Sequence, residues 1–143
     1  MKKLIIFSII TYLLFTINSS AVTESSLENE KTLKVGILLP LSGEFANVGQ
    51  SFLKAIQLAL HDISNENINI YPKDSKANAL DAYQAAKEFE ELGIKVVIGP
   101  IFYESVERLG EINNLTFISF TNKTEEIPKN TIAFGINIDS QID

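Results

Sequence analysis

Cysteine is absent from this chain of 143 residues, and histidine occurs once, as His61. Without cysteine there is no disulfide, so stability must come from packing alone. There is also no residue to which a lipid anchor could be attached at a cleavage site. One histidine and no cysteine leave no donor set for a structural zinc ion. Positive charge is scarce as well: 12 Lys and Arg stand against 18 Asp and Glu, for a formal net charge of −6. An acidic chain is poorly suited to nucleic acid or to anionic lipid surfaces, so a membrane would be reached only through a partner. The spacings of a phosphate-binding loop, a dinucleotide fingerprint and a nucleophile elbow are missing too. No cofactor, metal or catalytic residue is therefore assigned.

What is present begins with an address. Met1-Lys2-Lys3 is a short basic start, Leu4 to Ile17 is nearly unbroken apolar sequence, and Asn18-Ser19-Ser20-Ala21 is small and polar. This pattern predicts a secretory signal peptide over residues 1–21, cleaved after Ala21. The apolar run falls short of the roughly 20 residues that span a bilayer. Cleavage would remove Lys2 and Lys3 and leave an exported chain more acidic still. Residues 22–32 are polar without periodicity and read as a flexible leader. The remainder suits one domain.

From Lys34 onward, strand-like and helix-like segments alternate. Val35–Leu39 is apolar on both faces, as a central parallel strand requires. Phe45, Val48, Phe52, Ile56, Ala59, Leu60 and Ile63 recur at helical spacing and predict a helix over 45–64. Asn67–Tyr71 reads as a peripheral strand, 78–92 as a helix ended by Gly93, and Ile94–Ile98 as a strand broken by Gly99-Pro100. A short helix over 104–112 and strands at Leu115–Phe120 and Thr131–Ile136 complete the pattern. The fold class is α/β, an open, mostly parallel sheet of order 2-1-3-4-5 with helices on both faces.

Its switch point lies between the first and third strands, where ligand sites form at carboxyl strand ends. Leu41-Ser42-Gly43-Glu44 and Gly99 to Glu104 would face each other there, flanked by Thr121-Asn122-Lys123. The candidate ligand-binding residues are Ser42, Gly43, Tyr103, Ser105, Thr121 and Asn122. Backbone N–H groups, hydroxyls and one phenol suit the binding of a small polar ligand and do not make a bond-breaking set. Ser42 reads first as a turn or helix-cap residue and second as a ligand contact. His61 falls about four turns from the loop and reads as a surface or structural histidine.

Together, VGILLPLSGEFANVGQSFLKAIQLAL, KVVIGPIFYESV and LTFISF resemble the amino-terminal lobe of type I periplasmic binding proteins, the superfamily of leucine/isoleucine/valine-binding proteins. The resemblance covers residues 33–142 and is carried most specifically by Pro40 to Gln50. It implies a non-enzymatic periplasmic module, one lobe of a two-lobed cleft, over residues 33–143. It also implies a second lobe following a region like Ile136–Gln141. Because the sequence stops at Asp143, a truncated or split gene product is expected.

Two branches of the superfamily compete. The short connection Ser64-Asn65-Glu66, the bulky IGPIFYESVERL segment and the plain end of the fourth strand resemble the penicillin-binding-protein activator branch, whose partner is a peptidoglycan synthase. The alternative is the substrate-binding protein of an ABC importer for branched-chain or other amino acids, whose partner is a permease. Glu44 and Glu104, each beside a helix start, disfavour a free carboxylate ligand.

Overall fold

The computed structural model describes residues 32–64, 67–123 and 125–135. Along them run β1 (Leu33–Leu39), α1 (Ala46–Ile63), β2 (Ile68–Asp74), α2 (Ala79–Glu91), β3 (Val96–Ile98), α3 (Tyr103–Leu109), β4 (Thr116–Ser119) and β5 (Thr131–Ala133). The expected signal peptide, most of the leader and residues 136–143 lie outside the described residues.

The strands make one sheet in the order β2-β1-β3-β4-β5, and each neighbouring pair is parallel. The predicted class and order are therefore the observed ones, and the sheet is parallel throughout rather than mostly so. β1 is buried from Val35 through Leu39, because it lies between two strands and between two apolar layers. Leu38 points into one layer with Ala82, Ala85, Ala86 and Phe89 of α2, Leu109 of α3, and Val97 and Phe117. Val35, Ile37 and Leu39 point into the other, with Phe52, Leu53 and Ile56 of α1.

Two glycines let backbone approach closely. Gly36 on β1 lies beneath the fully buried Phe89, and a Cβ there would come 3.0 Å from the ring. Gly49 seats α1 on the turn that precedes it, where a Cβ would meet the Pro40 carbonyl at 2.0 Å. The helix ends are set locally. Asn78 accepts hydrogen bonds from the Leu80 and Asp81 N–H groups at the start of α2, as a good N-cap does. Ser64, in the left-handed region, closes α1 by donating its N–H to the Leu60 and His61 carbonyls.

Three boundaries differ from expectation by three residues, and the others by two at most. β2 runs three residues past Tyr71, to Asp74. Pro72 lies within it, opposite Ile37, and is tolerated because β2 is an edge strand that can spare an N–H. α3 begins at Tyr103 and is capped by Gly110 instead of reaching residue 112. β5 is the short segment Thr131–Ala133, of which residue 136 lies outside the described part.

The two faces are covered unequally among the described residues. α2 and α3 share one face, while α1 alone lies over the other. Ile37, Ile98, Ile118 and Ile132 form one row across β1, β3, β4 and β5. Exposure along that row rises from 0% at Ile37 to 56% at Ile132.

Phe89→Ala should cost about 3–5 kcal/mol, the usual range for removing a buried phenylalanine. Gly36→Ala should cost about 1–3 kcal/mol by overpacking the same ring. Denaturant unfolding of the double mutant should show the two costs to be non-additive. Strict additivity would mean that the Gly36–Phe89 contact carries no energy.

Candidate functional site

The carboxyl ends of β1, β3 and β4 place three loops on one crest. The loop after β1 is held by Asp74, the last residue of β2. The Asp74 carboxylate accepts from the Leu41 N–H at 2.7 Å, the Ser42 N–H at 3.3 Å, the Ser42 hydroxyl at 2.5 Å and the Lys76 N–H at 2.8 Å. Partial burial of the group works to raise its pKa. The bonds from the Ser42 hydroxyl and from the Lys76, Leu41 and Ser42 amides outweigh that effect and leave the pKa below the ordinary aspartate value.

The loop after β3 is held from the other side. The Pro100 carbonyl accepts from the Ser119 hydroxyl at 2.8 Å and the Phe120 N–H at 3.2 Å. Gly99 brings the same loop close to the end of β1. Its φ is +107°, and a Cβ would sit 2.0 Å from the Leu38 carbonyl. The chain after β5 is tucked in as well, with Phe134 donating its N–H to the Ser119 carbonyl at 2.7 Å.

Aromatic rings bridge the crevice between these loops. Phe45, at the start of α1, packs on Phe102, with centroids 4.8 Å apart and planes tilted by 59°. Phe52 packs on Phe120 at 4.8 Å. Lys123 Nζ lies 3.8 Å from the centroid of the Tyr103 ring; it also pairs with Glu126 at 3.2 Å. The crest thus combines aromatic surface with carboxylates: Glu44 and Glu104 are both exposed. Glu104 in the first turn of α3 lies where the helix dipole favours an anion.

The six residues singled out from sequence do not share one environment. Ser42, Gly43 and Asn122 are exposed and Tyr103 is half-buried. Ser105 and Thr121 are buried, at 2% and 3% exposure. Thr121 is engaged within its own loop: its N–H donates to the Ser119 hydroxyl and its hydroxyl accepts from the Lys123 N–H. Gly43, at φ +78°, has open space on its Cβ side. His61 is exposed on α1, 3.6 Å from Asp62. Among the described residues no group of three or more His, Cys, Asp or Glu is placed to hold a metal. No helix among them is long and apolar enough to cross a membrane.

Sequence reasoning missed Asp74 and Phe120 as crest residues, and it placed Phe102 in a crest loop without its ring contact to Phe45. Asp74 lies three residues beyond Tyr71, where the alternating pattern that marks β2 stops. The phenylalanines look like ordinary core residues until the topology brings their elements together.

Residues 32–137 match the sequence model of the family described as periplasmic binding protein. No curated protein matches the chain. Among solved structures, it is similar to a leucine binding protein from Thermotoga maritima, with TM-score 0.62 and 17% identity over 69% of this chain and 31% of that one. A Rhodopseudomonas palustris ABC-transporter solute binding protein in complex with 4-hydroxybenzoate gives TM-score 0.62 and 18% identity over 69% and 29%. The C-domain of LpoA from Haemophilus influenzae, described as a regulator of PBP1A, gives TM-score 0.60 and 20% identity over 72% and 32%. At such identities the likeness is one of fold. The matched region spans about a third of each of these chains.

Asp74→Ala should cost about 1–3 kcal/mol at neutral pH by leaving its donors without their acceptor. Because the folded-state pKa is depressed, this stabilisation is complete above the ordinary value of 3.8. It is lost as pH falls through the lower folded-state value. Denaturation of the wild type and Asp74→Ala across that window should show the difference between them shrinking toward acid pH.

Proposed function

The chain belongs to the periplasmic binding protein family, and on that premise we propose that it is a non-enzymatic binding module acting on a protein partner. Its role is that of a regulator of cell-wall synthesis, recognising a penicillin-binding protein. The observation that carries this reading is the state of the crest. Phe45 and Phe102 meet across the crevice by ring contact, and Asp74 occupies the donors that the β1–α1 loop could offer to a carboxylate. A surface with aromatic groups on top and its polar groups already paired suits a partner's side chains better than a small zwitterion. The likeness to the LpoA C-domain supports the same reading at the level of fold. Residues 1–21 would supply export to the periplasm, and the absence of cysteine argues against a lipid anchor.

A second reading is the substrate-binding lobe of an ABC importer. It is favoured by the exposed Ser42 and Gly43 and the half-buried Tyr103 on the same crest, and by the fold's likeness to solute binding proteins. Glu104 discriminates between the readings. Exposed beside the start of α3, it would repel an α-carboxylate and compete for the same donors.

Two measurements separate the readings. The tagged chain should capture a penicillin-binding protein from envelope extract, identified by fluorescent penicillin labelling; its absence from the captured fraction would count heavily against the regulator. Calorimetry against a panel of amino acids should show no binding by the wild type. Micromolar binding there would sink the regulator reading, and Glu104→Ser should then tighten it.

A further inference from the structure

The loops after β1 and β2 converge four donors on one point. The N–H groups of Leu41, Ser42 and Lys76 and the hydroxyl of Ser42 all aim at the Asp74 carboxylate, at 2.5–3.3 Å. Convergent backbone N–H groups of this kind form a concavity that takes anions. Here the anion is part of the chain. We propose that Asp74 is the built-in occupant of an anion nest on the crest, and that it sets specificity by closing the β1–α1 loop to carboxylate and phosphate groups. That loop is thereby left to neutral or cationic groups of a ligand or partner. This inference rests on the reading of the crest as a binding wall.

The physical argument is competition. An incoming carboxylate could use these donors only by displacing Asp74, which would remain charged, without its hydrogen bonds, beside a charge of the same sign. A carboxylate tethered within the fold also acts at an effective concentration in the millimolar range or above. Exposed Glu44, two residues beyond Ser42, adds repulsion of the same sign. Asp74 is a positioning and specificity residue in this scheme; it performs no chemistry.

Formate is a suitable probe because it reproduces the carboxylate without the rest of the side chain. In the isotope-labelled wild type, the amide signals of Leu41, Ser42 and Lys76 should show no saturable shift with formate. In Asp74→Ala the same three amides should shift saturably, and formate should raise the unfolding temperature of the variant but not of the wild type. Saturable shifts at those amides in the wild type would overturn the proposal, as would a folded Asp74→Ala that ignores formate.

Asp74→Asn decides the matter if Asp74→Ala does not fold. It keeps an acceptor of the same shape but is a weaker occupant, so formate should bind it at least about tenfold more tightly than the wild type. Equal affinity in the two proteins would overturn the proposal. This titration needs no partner. If the formate results are as expected but no penicillin-binding protein is captured, the regulator reading fails and the role of Asp74 stands. The converse pair of results rejects the nest alone.

Discussion

Everything in this lobe depends on the burial of β1 on both faces. Ile37, Leu38 and Leu39 are all at 0% exposure, so each apolar layer takes side chains from the same strand. A parallel strand flanked on both sides cannot leave either face to water without losing the burial that stabilises it. Gly36 serves one of the layers by making room for Phe89. Gly49 serves the other by letting α1 settle on the turn that β1 feeds. The positions of the crest loops follow from this, because they start where the strands of a rigid sheet end.

The crest differs in character from the body beneath it. In the core, side chains meet by excluding water; on the crest, loops are fixed by paired polar groups. Asp74 joins the ends of β2 and β1, and the Pro100 carbonyl joins the loop after β3 to β4. The Asp74 tie lies at the exposed surface of the crest, whereas the Pro100–Ser119 tie is buried beneath it. The result is a surface whose shape is set in advance, with rings and carboxylates as its exposed chemistry. Preorganisation of this kind favours a partner that fits, because less ordering remains to be done on binding.

The architecture was readable from the sequence wherever a physical rule acts locally. Unbroken apolar β1, the 3.6-residue spacing from Phe45 to Ile63, and Gly93 after α2 each announce their element. The strand order followed from right-handed crossovers. The crest was less legible, because its contacts join residues far apart in sequence. Asp74 bonds to Leu41 across 33 positions, and Phe45 meets Phe102 only through the β1–β3 neighbourhood. The alternation of β2 fades after Tyr71, yet β2 runs on through Pro72 to Asp74, because an edge strand can spare the N–H that proline lacks. Ser105 and Thr121 were chosen for their hydroxyls, yet burial depends on how a loop folds back on itself, which residue type does not reveal.

The row Ile37, Ile98, Ile118 and Ile132 has a consequence for how the lobe opens. Solvent reaches this row increasingly toward β5, so the free energy of exposing each strand should fall in the same direction. Amide hydrogen exchange would then proceed inward from β5, with β1 opening only in global unfolding. Along this row the exposed end at β5 is thus the first to be released and the buried end at β1 the last.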